Sequence, residues 1–248
     1  MKPKVILLDL ETAPSLGYVW GIWEQNVIAV KDDWFLLSFS VKELGRRGTR
    51  TFCLPDFPSL YAKSKQDDRA LVNQLWKEIE SADVIIAHNG DRFDIGKSNA
   101  RFIFHGLNPP SPYKTVDTLK IARKHFKFDS NRLDDLATYL NIGRKLPTEG
   151  KHTWLGCIAG DKKAWATMRR YNAHDIILLE GVYMKLRAWS TSHVNLDSFD
   201  KRGVCPTCQA DKLQKRGYVY TKTGKRERYQ CTGCGAWSSG VKHIRKDA

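Results

Sequence analysis

No hydrophobic run in the 248 residues is long enough to cross a bilayer, and no internal repeat or low-complexity tract interrupts the chain. A helical membrane span and a repeat architecture are therefore excluded. The basic opening Met1-Lys2-Pro3-Lys4 is followed by an apolar run, Val5 to Leu8, that is too short for a secretory h-region and ends in Asp9. No long amphipathic basic stretch is present, so a membrane surface is not the expected partner. The expectation is a cytoplasmic protein in a reducing compartment. Cysteine is scarce at six residues, and in that compartment six thiols favour metal ligation or inert burial over disulfides.

Acidic residues are in deficit: 27 Asp+Glu stand against 41 Lys+Arg, a net charge of +14. Such an excess favours a polyanionic partner, because each Lys or Arg set against a phosphate releases condensed counterions. The excess is uneven. Residues 201–248 carry 12 Lys+Arg and 3 Asp+Glu. What is plentiful is core-forming material, with 42% hydrophobic and 11% aromatic residues, which excludes wholesale disorder.

Short β-branched and leucine runs predict strands at Lys4–Leu10, Leu36–Val41, Thr49–Leu54, Val84–Ala87 and Tyr113–Val116. Helical periodicity predicts helices at Asp67–Ser81, Asp94–His105, Thr118–His125, Arg132–Leu140 and Asp161–Trp189. Residues 12–34 read as irregular and aromatic-rich, and Gly143–Gly160 as a loop. Three early strands, then strands alternating with helices, indicate an α/β fold: a mixed sheet flanked by helices. The expected division is a domain over 1–192, a polar linker at 193–203, a small module at 204–240 and a basic tail at 241–248.

Three segments carry acids where chemistry can use them. Asp9 and Glu11 end the first strand, and residues i and i+2 project from the same strand face, so both can converge on one cation. Asn89-Gly90-Asp91-Arg92-Phe93-Asp94 follows the strand Val84–Ala87 and places a carboxylate at a strand-to-helix junction; Asp is also a good helix cap there. Tyr171 and Asp175 lie at i and i+4 on the late helix, in register with Met168, Leu178 and Val182. An Asp on a core-facing stripe requires compensation, which a metal or a hydrogen-bond partner supplies. Asp117, just before a helix, reads as a cap.

Together, acid-x-acid closing the first strand, Asn-x-x-x-Phe-Asp after a middle strand and Tyr-x-x-x-Asp on a late helix resemble the three motifs of DEDD-superfamily 3′→5′ exonucleases. The last motif is of the tyrosine branch, since the histidine branch needs His where Arg170 stands. The exonuclease domains of family B DNA polymerases and stand-alone exonuclease domains of bacteria and phages are similar. Asp117-Thr118-Leu119 and Leu133–Leu140 match segments of the latter. The resemblance spans residues 4–189 and is weakest over 12–60. It implies an RNase H-like fold and a site for two Mg²⁺ or Mn²⁺ ions. Asp9 would bridge both ions, Glu11 and Asp175 would bind the first, Asp94 would hold metal-bound water, and Tyr171 would position the attacking water. Asn89 would contact nucleic acid. An RNase H-like endonuclease and a non-catalytic binding protein on a nuclease scaffold are the alternatives.

Cys205-Pro-Thr-Cys208 and Cys231-Thr-Gly-Cys234 are two CxxC pairs flanking a hairpin, a spacing that suits one tetrahedral Zn²⁺. The segment resembles zinc ribbons. Lys215, Arg216, Lys222, Lys225, Arg226 and Arg228 alternate with Tyr218, Tyr220 and Tyr229. Cations for phosphates with aromatic faces for bases suit sequence-tolerant nucleic-acid binding, with DNA favoured over RNA as the partner. A ribbon that docks on the main domain or on another protein is the other reading.

Overall fold

The first strand is apolar at nearly every position because both of its faces are covered. In the computed structural model, which describes residues 2–23, 26–199, 203–222 and 224–240, β1 (Val5–Thr12) runs through the middle of a five-stranded sheet. Ile6, Leu8 and Leu10 point into one apolar cluster, while Val5 and Leu7 point into another on the opposite side. Asp9 and Glu11 continue the second row, so strand parity alone decides which face receives the acids.

After β1 the chain forms a detached hairpin, β2 (Leu16–Tyr18) and β3 (Ala29–Asp32), then returns as β4 (Leu36–Glu43) and β5 (Arg50–Cys53). A single turn, α1 (Pro58–Tyr61), leads to α2 (Arg69–Glu80), followed by β6 (Val84–Ala87), α3 (Asp94–Phe104), β7 (Lys114–Asp117), α4 (Thr118–His125) and α5 (Leu133–Tyr139). The sheet order is β5-β4-β1-β6-β7. β4 and β5 join β1 as an antiparallel meander, and β6 and β7 extend it in parallel. Leu71, Leu75 and Ile79 of α2 and Phe102 of α3 cover one side. On that side Asp68 accepts hydrogen bonds from the Leu36 N–H at 2.8 Å and from Arg101 Nε at 2.8 Å, and meets His105 Nε2 at 2.6 Å, which ties both helices to the start of β4.

Residues 151–159, expected to be loop, form a helix, α6 (Lys151–Ala159). Gly156 disguises it. A Cβ there would lie 2.7 Å from Ala164 Cβ, so this glycine permits a close helix contact and is not a breaker. The partner is α7 (Lys162–Leu186), the long final helix, whose cap Asp161 accepts from the Lys163 N–H at 2.7 Å. The 12–34 region is likewise not wholly irregular, since it contains the β2–β3 hairpin. Its side chains face water on both strands, so no alternation marks it.

Beyond α7, a 3-10 turn at Leu196–Phe199 buries Leu196. The C-terminal module is a three-stranded antiparallel sheet of β8 (Leu213–Thr221), β9 (Gly224–Cys231) and β10 (Trp237–Ser239), in the order β10-β9-β8. It rests on the segment that follows α7: Ala188 packs against the cysteine cluster, the Leu196 N–H donates to Pro206 O at 2.8 Å, and Gln209 Nε2 donates to Leu196 O at 3.3 Å. The basic tail 241–248, residues 200–202 of the expected linker and Thr223 of the expected turn lie outside the described residues. No helix among the described residues is long and apolar enough to cross a membrane.

Candidate active site and cysteine cluster

β1 delivers Asp9 and Glu11, and α7 crosses the same face of the sheet carrying Asp175. Asp9, Glu11 and Asp175 each bring a carboxylate oxygen within 4.8 Å of the other two. Burial pushes Asp9 up to about 7, with the Asp175 charge adding to the effect. Glu11 is raised by burial and then by Asp9 and Asp175. Burial also raises Asp175, against the opposing pull of Lys145. Three acids that resist ionisation together could hold a cation, which would relieve their mutual repulsion. The fit to a hard metal rests on one more atom: Asp175 Oδ1 is buried without a hydrogen-bond partner, in an otherwise well-satisfied helix.

Asp94 lies apart from this triad. Its Oδ1 accepts the Leu10 N–H at 3.0 Å, which fastens the start of α3 to β1 between the two acids. Its carboxyl is raised by burial and by the Asp9 charge, so it feels the cluster without joining it. Asp117 behaves as the cap expected, accepting from the Leu119 N–H at 2.9 Å, and it also accepts the Asn89 N–H at 2.9 Å. That second bond holds Asn89 at φ 62°, on the wall of a groove of about 790 Å³ that runs from Asp9 past Arg123 and Arg132 to Lys145.

Several site residues carry no motif and escaped the sequence reading. Lys145, in the α5–α6 connection, donates to Asp175 Oδ2 at 2.6 Å and to the Tyr171 hydroxyl at 2.8 Å. Its backbone N–H is fixed by Asp134 at 2.6 Å. Trp154, on the unexpected helix α6, packs edge-on to Tyr171 at 5.8 Å and lies near enough to Glu11 to oppose the rise of its carboxyl. Asn172 and the serine pair of β4 form a third support. Ser40 and Ser38 donate to Asn172 Oδ1 at 3.0 and 3.3 Å, which leaves Asn172 Nδ2 to donate to Asp9 Oδ2 at 2.6 Å. Period-2 alternation in β4 would have shown Ser38 and Ser40 on one face, but nothing in the sequence says that they face an asparagine on α7.

Asn172 is thus a positioning residue for Asp9. Asn172→Leu, which removes the donor without adding charge, should weaken Mn²⁺ binding about 10- to 100-fold, the usual cost of losing a partner that orients a metal ligand. A Mn²⁺ titration unchanged in that variant would reduce Asn172 to a packing role.

The raised carboxylates also fix a pH dependence. A carboxyl whose folded value lies above its unfolded one binds more protons in the native state, so stability falls as pH rises through that interval. For Asp9 the interval runs from its ordinary value of 3.8 to about 7. The metal-free protein should lose thermal stability between about pH 4 and pH 7, and added Mn²⁺ should restore it increasingly toward pH 8. Melting curves in EDTA and in Mn²⁺ across that range check both halves.

The four cysteines converge as expected. Cys205 and Cys234 Sγ are 3.7 Å apart, as are Cys208 and Cys231, close to the ~3.8 Å edge of a tetrahedron with Zn–S bonds of about 2.3 Å. Burial pushes the Cys231 thiol up, but N–H groups of Cys234 and Gly233 outweigh it and lower it overall. The β8–β9 register sets Lys215 opposite Tyr229, Tyr218 opposite Glu227 and Tyr220 opposite Lys225. All three tyrosines therefore share one face with Lys215 and Lys225. Arg226 and Arg228 lie on the other face, where Arg228 covers the Trp237 ring at 4.8 Å. Arg216 and Lys222 are exposed. Lys215 pairs with Glu227, so it is partly neutralised.

A central mixed sheet with acids at the end of its first strand and on a crossing helix defines an RNase H-like α/β protein. The chain belongs to the RNase H superfamily, whose family profile matches residues 35–187. That match begins after Asp9 and Glu11 but includes Asp94, Tyr171 and Asp175. Among solved structures, the family B DNA polymerase of the hyperthermophilic archaeon Pyrobaculum calidifontis is similar, with a TM-score of 0.56 and 15% identity over 90% of this chain. The chain spans 31% of that polymerase. No curated protein matches the sequence.

Proposed function

We propose that the chain is a divalent-metal-dependent 3′→5′ exonuclease acting on nucleic acid, with DNA favoured over RNA, and that its C-terminal module is a zinc ribbon that grips the substrate strand. The observation that carries this reading is the convergence of Asp9, Glu11 and Asp175 within 4.8 Å beside a tyrosine hydroxyl. Two Mg²⁺ or Mn²⁺ ions, when bound, would neutralise the charge on the attacking and leaving oxygens of an in-line displacement.

The chain's own groups would do the rest. Asp9, Glu11 and Asp175 hold the cations, and Asn172 fixes the rotamer of Asp9. Asp94 keeps the start of α3 against β1 and leaves its second oxygen for water bound to a cation. The Tyr171 hydroxyl accepts from Lys145, and its own proton would orient a water beside Asp175. Lys145 brings a positive charge to the side of the cluster where phosphate charge would develop. The groove beside Asn89, Arg123 and Arg132 offers a path for the strand, and the likeness to a polymerase supports a polynucleotide as its occupant.

The test is digestion of a 5′-labelled strand with Mg²⁺ or Mn²⁺, beside a closed circular single strand. A descending ladder that EDTA abolishes, with the circle left intact, is expected. Internal cuts in the circle would replace this reading with an endonuclease.

A further inference from the structure

The last turn of α4 and the connection to α5 read Arg123-Lys124-His125-Phe126-Lys127-Phe128-Asp129-Ser130-Asn131-Arg132, four Lys or Arg against one acid, with two phenylalanines interleaved. Phe126 caps α4 in an extended conformation, at φ −134° and ψ 162°. From there the chain runs into the wall of the groove beside the carboxylates, which Asp129, Ser130, Asn131 and Arg132 line together with Arg123.

The two phenylalanines stack on each other at 5.1 Å and pack against the apolar cluster that holds Ile176 and Val182 of α7. Each is met by a further ring. Tyr139, the last residue of α5, meets Phe128 edge-on at 5.1 Å, and Trp189 meets Phe126 at 5.4 Å. Tyr139, Phe128, Phe126 and Trp189 thus form one continuous row, anchored in the core at its middle and open at its ends, where Tyr139 is 72% exposed and Trp189 61%. Trp189 closes the 3-10 turn after α7, next to Ala188, which packs on the cysteine cluster. The row therefore joins the wall of the groove to the foot of the cysteine module.

Packing accounts for the inner pair, but it leaves most of two large rings in water, an unrealised gain that a bound flat group would recover. Charge selects that group. Arg123, Lys124 and Lys127 are exposed, and none of them joins an ion pair among the described residues. Lys124 reaches Thr191, two residues past Trp189, at 3.0 Å, so a cation stands at that end of the row too. Ring faces beside free cations suit a strand that brings bases and phosphates together. A duplex keeps its base faces in its own stack, so only unpaired bases can use the rings.

We propose that this row is a stacking platform for unpaired bases, and that it carries single-stranded DNA from the groove to the cysteine module. The substrate of the site is thereby narrowed to a single strand. The proposal rests on the groove being the path of that strand, and not on cleavage.

Anisotropy of a fluorescein-labelled DNA strand of about 12 nucleotides, within the span of common single-strand sites, tests it against the duplex of the same sequence. Zinc-loaded full chain is used without Mg²⁺ or Mn²⁺. Tyr139→Ser with Trp189→Ser should weaken single-strand binding about tenfold for each ring removed and leave duplex binding unchanged. Tyr139→Phe with Trp189→Phe, which keeps both rings, should bind the single strand as the wild type does. Lys127→Ala should flatten the salt dependence of single-strand binding by about 0.7 in slope, the share of one phosphate. Should the loss of Trp189 disturb the fold, which circular dichroism reports, Tyr139→Ser alone carries the test at the other end of the row. Unchanged single-strand affinity in the serine variants would overturn the proposal and leave the row to a protein partner or to packing. An equal loss on strand and duplex, or a loss that the phenylalanine variant shares in full, would overturn it as well. A chain that binds as expected but leaves the strand uncut would keep the platform and lose only the exonuclease reading.

Discussion

Asp9→Asn is expected to reduce cleavage by about 10³-fold or more while making the metal-free protein more stable at pH 8. The activity loss follows from the position of Asp9 at the centre of the acid cluster. A lost metal ligand forfeits several kcal/mol of transition-state stabilisation, and each ~1.4 kcal/mol is a factor of ten in rate. The stability gain follows from the same electrostatics. Burial and the neighbouring Asp175 push the Asp9 carboxyl up to about 7, so at pH 8 the folded protein holds an ionised group that it resists. A neutral amide removes that repulsion, and its oxygen still accepts from Asn172 Nδ2. Tyr171→Phe should cost less, about 10²- to 10⁴-fold if the hydroxyl positions or moves a proton, and should leave strand binding nearly intact. Melting in EDTA and single-turnover cleavage, run on both variants, check these outcomes. If Asp9→Asn were less stable than wild type in EDTA, Asp9 would be a structural residue whose charge the fold uses.

The second large effect concerns the cysteine cluster. If the four cysteines hold Zn²⁺ as proposed, Cys205→Ser with Cys208→Ser should abolish its binding and unfold the module, because two ligands cannot close a tetrahedral structural site and a sheet this small lacks a core of its own. The described apolar cluster there contains little beyond the cysteines, Ala236, Leu213 and their immediate neighbours. The carboxylate site lies on β1 and α7, so short oligonucleotides should still be cut. Binding of longer strands should weaken, and its dependence on salt should flatten by about one unit of slope for each phosphate that the module no longer neutralises. With Lys215 and Lys225 on the tyrosine face and Lys215 partly neutralised by Glu227, a slope change of about one to two is expected if that face meets the strand. Equal slopes for wild type and variant would leave the module with docking alone, through Ala188 and Leu196.

How much of this was legible depended on whether a residue's role was local. β1, β4, β6 and the helices α2, α3 and α7 announce themselves through apolar runs and periodicity, and parity along β1 already sets Asp9 beside Glu11. The CxxC pairs are similarly local. Helix α6 was hidden because Gly156 reads as a breaker, whereas its lack of a Cβ serves contact with Ala164. Hidden with it was Trp154, which packs on Tyr171 and lies near Glu11. Lys145 reaches Asp175 across 30 positions and Asn172 reaches Asp9 across 163. Neither has a spacing rule, because only the folded chain brings α7 across the sheet. Asp94 is an intermediate case. Its motif placed it at a strand-to-helix junction, but nothing in the sequence says that one of its carboxylate oxygens accepts the Leu10 N–H on β1.

Everything proposed for cleavage depends on the carboxylates forming a divalent-metal site, and Mn²⁺ binding tests that without reference to any substrate. Zinc-loaded wild-type protein at pH 8 should bind two Mn²⁺ per chain, with affinity falling as pH drops below 7 and with at least one ion released in Asp9→Asn. Wild-type protein that binds no Mn²⁺ at millimolar concentration, or an Asp9→Asn variant that binds it unchanged, would contradict a metal site at these acids.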